Sequence, residues 1–149
     1  KRVEGFEEAL ADYEGISIVS ELYTDKVKDM SEAMADVLKR YPDLDGVFCT
    51  NEDVADMYLG LDKGENTPVM VGVDATSVQQ KAITDGQELG TVSQDPYDIG
   101  YQTIIAAAQA MSTDPAQAAS VEKNVLLEPK WIDASNIDDR VNGNYLYSK

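Results

Sequence analysis

Histidine is missing from the 149-residue chain altogether, which removes the commonest general base and the commonest transition-metal ligand from any chemistry. Cysteine occurs once, as Cys49 inside an apolar run, so no disulfide can form within the chain and the thiol reads as an inert core group. A lone cysteine fits either side of a membrane. Basic residues are scarce: 12 Lys and Arg face 28 Asp and Glu, a formal net charge of −16. That balance repels nucleic-acid phosphates and anionic membrane surfaces. No apolar run approaches the length of a membrane span, and no signal-peptide pattern is visible. No calcium loop, zinc spacing, phosphate-binding glycine loop or G-x-S-x-G elbow is present. The expectation is a protein without metal, cofactor or catalytic pair.

What is there is ordinary for one soluble globular domain: 43% hydrophobic and 27% charged residues. Val3, Phe6, Ala9, Leu10 and Tyr13 recur at helical spacing until Gly15. Ile16, Ile18 and Val19 predict a strand reaching toward Tyr23. Val27, Met30, Ala33, Met34, Val37, Leu38 and Tyr41 predict a helix of about four turns, closed by Pro42. Asp45 to Cys49 reads as a short buried strand that runs into Asn51 and a helix bearing Val54, Ala55, Tyr58 and Leu59, ending near Gly64. A strand from Val69 to Val73 delivers Asp74, and Thr76 is placed to cap a helix ended by Gly86. Gly90 to Ser93 delivers Gln94, and Asp95 with Pro96 opens a long helix to Met111. Val125 to Leu127 predicts one more strand, extended by Trp131 and Ile132, whereas Asn136 to Lys149 has no periodicity. Alternating helix and strand with short connections predicts an α/β fold, a parallel sheet flanked by helices. The chain starts at Lys1 inside a helical pattern, without an initiator methionine, and reads as a fragment or processed piece.

Asn51, Asp74 and Gln94 each follow an apolar strand, so all three are expected on one rim of the sheet. In open α/β sheets that rim is the ligand crevice. Two amides that donate and accept, beside a carboxylate that accepts twice, suit a ligand covered with hydroxyl groups. Arg2 adds a fork of donors if the first helix starts at the same rim. Tyr23 could stack on the apolar face of a sugar ring. Each has a plainer explanation as well. Capping alone explains Asn51, an isolated arginine is usually a solvated charge, and a tyrosine such as Tyr23 is commonly half-buried core. Asp74 and Gln94 are harder to dismiss, because Thr76 and Asp95 are the better caps. The pairs Asp43 and Asp45, and Asp138 and Asp139, read as loop solvation.

The ordered segments KRVEGFEEAL at 1–10, YPDLDGVFCTNEDVA at 41–55, VMVGVDAT at 69–76 and AITDGQELGTVSQDPYDIGY at 82–101, with the strand region at 124–132, carry a resemblance. The chain resembles the carboxyl-terminal lobe of the type I periplasmic sugar-binding proteins of ABC transporters, the ribose- and galactose-binding group. The resemblance implies that Arg2, Asn51, Asp74 and Gln94 grip sugar hydroxyls, with Tyr23 as the one aromatic of the segment that stacks on the ring. It implies a two-lobed type I fold of which residues 1–94 form one lobe without its first strand. Residues 95–124 would then be the helix and connection crossing to the absent amino-terminal lobe, and 125–149 a final strand and tail. The helix at 96–112 is then expected to pack against another copy or to fold back on this lobe.

The expected function is capture of a monosaccharide or similar polyol for an ABC transporter permease. The location would be outside the cytoplasm, in the periplasm or lipid-anchored on the outer face of the membrane. A LacI-like regulator's effector domain shares the fold and is the main alternative. A small α/β enzyme, with Asp74 as its base, is a third reading.

Overall fold

The computed structural model describes residues 1–65 and 67–147. Its elements run α1 (Arg2–Leu10), α2 (Met30–Arg40), β1 (Gly46–Phe48), α3 (Glu52–Leu59), β2 (Val69–Val73), α4 (Ser77–Thr84), β3 (Gly90–Ser93), α5 (Pro96–Ala110), α6 (Pro115–Ala119) and β4 (Lys130–Asp133), followed by a 3₁₀ helix at Arg140–Tyr145. The strands form one sheet in the order β1-β2-β3-β4. Its first three are parallel, in the register Val47 to Met70 and Gly72 to Thr91. All three therefore deliver their carboxyl ends, and the residues that follow, to the same rim.

The helices stand where the sequence supplies both a cap and an apolar face. The Asp29 side chain accepts from the Glu32 amide at the start of α2, and Met30, Met34 and Leu38 recur every fourth residue along its buried face. They pack with Cys49, Ala55, Tyr58 and Met70 in the larger core. Each methionine or leucine side chain buried here contributes roughly 1.5–3 kcal/mol before entropy is counted. Burial pushes the Cys49 thiol up to about 12, which leaves it protonated and inert. A smaller core joins Ile83, Ile132 and Ile137, with Tyr145 and Leu146 against it. Helix α1 buries no residue fully. It is fixed by Phe6, whose ring stacks on Phe48 of β1 at 4.7 Å between centroids.

Three expectations need correction. Ile16 to Val19 forms no strand; its side chains are exposed, and a strand exists only where a neighbour pairs with its backbone. The last strand is Lys130–Asp133 rather than Val125 to Leu127. Leu126 is almost fully exposed, while Ile132 is buried between exposed Trp131 and half-buried Asp133 in the alternation a half-buried strand requires. This strand runs antiparallel to β3, so the sheet is mixed. The tail, in which the sequence shows no periodicity, contains the 3₁₀ helix; its residues 148 and 149 lie outside the described part.

Two glycines make room for close approaches. A Cβ on Gly90 would collide with the Trp131 indole, which lies over β3. The indole N–H donates to Asp133 Oδ2 at 2.8 Å. A Cβ on Gly72 would come within 2.5 Å of Glu88 Oε1 and 2.6 Å of Gln79 Nε2.

Candidate functional site

Asp74 follows the last residue of β2 and is 6% exposed. Among the described residues it alone, glycines aside, has a positive φ, at 75°. Aspartate tolerates the left-handed region better than most residues, yet the conformation carries a cost. Strain of this kind persists where the surroundings hold it, commonly at binding sites. The surroundings here are explicit. The Asp74 amide donates to the Val92 carbonyl at 3.0 Å, and Thr91 Oγ1 donates to the Asp74 carbonyl at 2.6 Å.

The carboxylate is the meeting point of the site. Gln94 Nε2, from the residue after β3, donates to Asp74 Oδ1 at 3.0 Å. Arg2 Nη1 lies 4.0 Å from Asp74 Oδ2 and donates to the Thr50 carbonyl at 2.6 Å. Thus α1, docked through Phe6, places the guanidinium on the rim formed by the ends of β1 and β2. Asn51, beside Thr50, spends its side-chain oxygen on capping α3, accepting from the Val54 amide at 3.0 Å. Among the described residues its amide nitrogen has no hydrogen-bond partner, so the capping and binding readings of Asn51 are compatible.

Asp74 and Gln94 are not caps. Thr76 and Gln79 form a capping box at α4, and Asp95 caps α5 by accepting from the Asp98 amide. The structure brings Arg2, Asp74 and Gln94 together, with Asn51 at the adjoining strand end. Tyr23 has other partners: its hydroxyl donates to Glu21 at 2.6 Å, and the Lys26 ammonium lies 4.0 Å over its ring.

Sequence reading missed one member. Tyr147 donates its hydroxyl to Asp74 Oδ1 at 2.7 Å, while its amide donates to the Ala75 carbonyl at 3.0 Å. Burial, and then the adjacent carboxylate, hold the phenol well above its ordinary value, so it remains a donor. The segment carrying it is pinned by Gln80 Nε2 on the Tyr147 carbonyl and by Ser93 Oγ on the Tyr145 carbonyl. Nothing in the tail's periodicity announces this, because the 3₁₀ helix is short. An aromatic-rich end, Tyr145 and Tyr147, was the only available signal.

Chemically the arrangement is a carboxylate with two lone-pair faces, a guanidinium fork, two amides and a phenol. It can exchange several hydrogen bonds with a hydroxylated molecule. Among the described residues no group of three acidic or cysteine side chains is placed to hold a metal ion.

Comparison with known proteins fits this geometry. A periplasmic binding protein domain matches residues 1–115. The ribose import binding protein RbsB of Escherichia coli is 29% identical over 124 residues, which cover 79% of this chain and 40% of RbsB. An ABC transporter solute-binding protein from Agrobacterium vitis, solved with bound D-fucose, superposes with a TM-score of 0.83 at 25% identity. That match covers 98% of this chain and 50% of the solved one. A Brachyspira murdochii protein, described as an ABC transporter and LacI family transcriptional regulator, gives a TM-score of 0.63 at 27% identity, over 81% of this chain and 42% of that one. The chain spans half or less of the length of these relatives. Their fold is the mixed, helix-flanked sheet found here, and the chain belongs to the periplasmic binding protein family.

Proposed function

We propose that this chain is part of the solute-binding component of an ABC transporter, and that its rim residues form one side of a monosaccharide or polyol site. The observation that carries the reading is the buried Asp74 carboxylate, held at positive φ and met by Gln94 and Arg2. Similarity to a ribose import binding protein and to a D-fucose-bound solute-binding protein supports the choice of ligand class. Arg2, Asn51, Asp74 and Gln94 bind hydroxyls in this reading, and Tyr147 joins them. Tyr23 is retained only as a stacking residue of a closed form, since its present partners lie elsewhere.

Residues 1–94 act as one lobe, 95–124 cross toward a second lobe, and closure of two lobes encloses the sugar and presents it to a permease. The work is capture rather than catalysis. The protein operates outside the cytoplasm, free or lipid-anchored. Among the described residues no helix is long and apolar enough to cross a membrane.

The test is a thermal-shift screen of the full-length two-lobed protein with D-ribose, D-fucose and other monosaccharides, with Asp74→Ala alongside. A ligand that binds only the folded state raises the melting temperature by mass action. A rise with one sugar that disappears in the variant is expected. An equal rise in the variant removes Asp74 from the site, and no rise with any sugar removes the reading. The likeness to the Brachyspira protein favours one second reading, an effector-binding domain of a LacI-like regulator. A helix-turn-helix encoded upstream of Lys1 would establish it.

A further inference from the structure

Beneath the rim lies a polar group that no site reading uses. Glu88, in the turn between α4 and β3, is 1% exposed. Its Oε1 accepts from Gln79 Nε2 at 3.2 Å. Its Oε2 is buried without a hydrogen-bond partner among the described residues. The same Gln79 nitrogen lies 3.4 Å from the Val73 carbonyl and 3.4 Å from Thr91 Oγ1. Thr91 in turn donates to the Asp74 carbonyl. The peptide unit on each side of Asp74 is therefore tied, through two side chains, to one buried acid. Room for the cluster exists only because residue 72 is glycine, as the contacts of its absent Cβ show.

A carboxylate with one bare oxygen in such a place is expensive, whereas the neutral acid is tolerated. The titratable groups that face it are Asp56 of α3, whose negative charge opposes a second one, and the thiol of Cys49 after β1. Among the described residues no lysine or arginine enters the cluster's hydrogen bonds. Burial pushes the Glu88 carboxyl from an ordinary 4.5 to about 7, against the opposing pull of the Gln79 hydrogen bond.

We propose that neutral Glu88 is a positioning residue: through Gln79 and Thr91 it holds the backbone of Asp74 in the left-handed form that presents its carboxylate to the ligand, and loss of its proton loosens the site. The first half stands on the hydrogen bonds and on the burial of the unpartnered Oε2. The second rests on the sugar-binding reading. On ionisation the bare Oε2 must recruit water, and the opening that admits it displaces the Gln79 amide that bridges Val73 and Thr91. The sign follows from the raised value. The favourable burial of the neutral acid is fully present below about pH 4.5 and is lost as pH rises through about 7.

The test is heteronuclear NMR on the 149-residue chain between pH 5.5 and 8.5, without ligand and with D-ribose or D-fucose titrated in. The absence of histidine leaves this window nearly clear, and Glu88→Gln identifies the buried carboxyl as the group that moves. The Asp74 and Ala75 amide signals are expected to move with a midpoint near 7, and sugar affinity to fall about 5-fold or more across the window. In Glu88→Gln, which keeps an acceptor for Gln79 and carries no charge, both profiles should be flat and binding retained. In Glu88→Leu, which removes the acceptor, binding should weaken at every pH. Asp74 signals that do not titrate, or that titrate equally in Glu88→Gln, overturn the proposal. Moving signals in the 149-residue chain, with no binding of any sugar by the full-length two-lobed protein, preserve the positioning role and overturn the sugar-binding reading. Sugar binding with a flat wild-type profile does the reverse.

Discussion

Helix α2 has 11 residues, carries charged side chains along its outer face, and buries Met30, Met34 and Leu38. Helix α5 has 15, is the more apolar of the two, and buries none of them. Tyr97, Tyr101, Ile104 and Met111 are all more than half exposed. Both helices are capped by an aspartate at the residue before their first turn. The difference teaches that apolar periodicity identifies a face but not its partner. Helix α2 lies on the core that β1, β2 and α3 complete. Among the described residues, helix α5 touches only α6 and the 3₁₀ helix appreciably, and it relies on Asp95, Pro96 and the alanines at 106–108 for its helicity.

Substitutions along the two helices sharpen this contrast. Met34→Ala should cost about 2–5 kcal/mol, by lost burial plus the cavity left behind, read as a lower urea midpoint with an unchanged slope. At the helix that meets the site, Asn51→Ala removes the α3 cap and should cost about 1 kcal/mol. If the amide also binds sugar, affinity should fall in the same variant while Asn51→Asp, which keeps the cap, restores stability alone. Ile104→Ser on α5 should change stability by less than about 0.5 kcal/mol, the range for exposed positions. A cost comparable to that of Met34→Ala, rising with protein concentration, would break the comparison. It would mean that a second copy covers α5 in solution.

The same distinction governs what was legible in the sequence. Strands β1, β2 and β3 and their following helices were readable because each pairs a short apolar run with a cap. The same pattern put Asn51, Asp74 and Gln94 at strand ends. Ile16 to Val19 has the composition of a strand, but pairing is a property of neighbours, and this segment has none among the described residues. The antiparallel direction of β4 was hidden because Val125, Leu126 and Leu127 are the more apolar run, while only the alternation around Ile132 fits the edge of the sheet. Tyr147 reaches Asp74 across 73 residues from an aperiodic tail. Gln79 and Glu88 were invisible for the opposite reason: polar residues at core positions contradict the hydrophobic pattern, and only Gly72, by its lack of a side chain, marks the space they fill.

The slot that Gly90 leaves for Trp131 has a practical consequence. The chain has one tryptophan, seated on the strand that delivers Gln94 and paired in register with Val92. Excited selectively, that indole is a built-in optical probe of the β3–β4 pair. Its emission should shift to longer wavelength when β4 separates from the sheet, reporting on the rim's supporting strand without any attached dye.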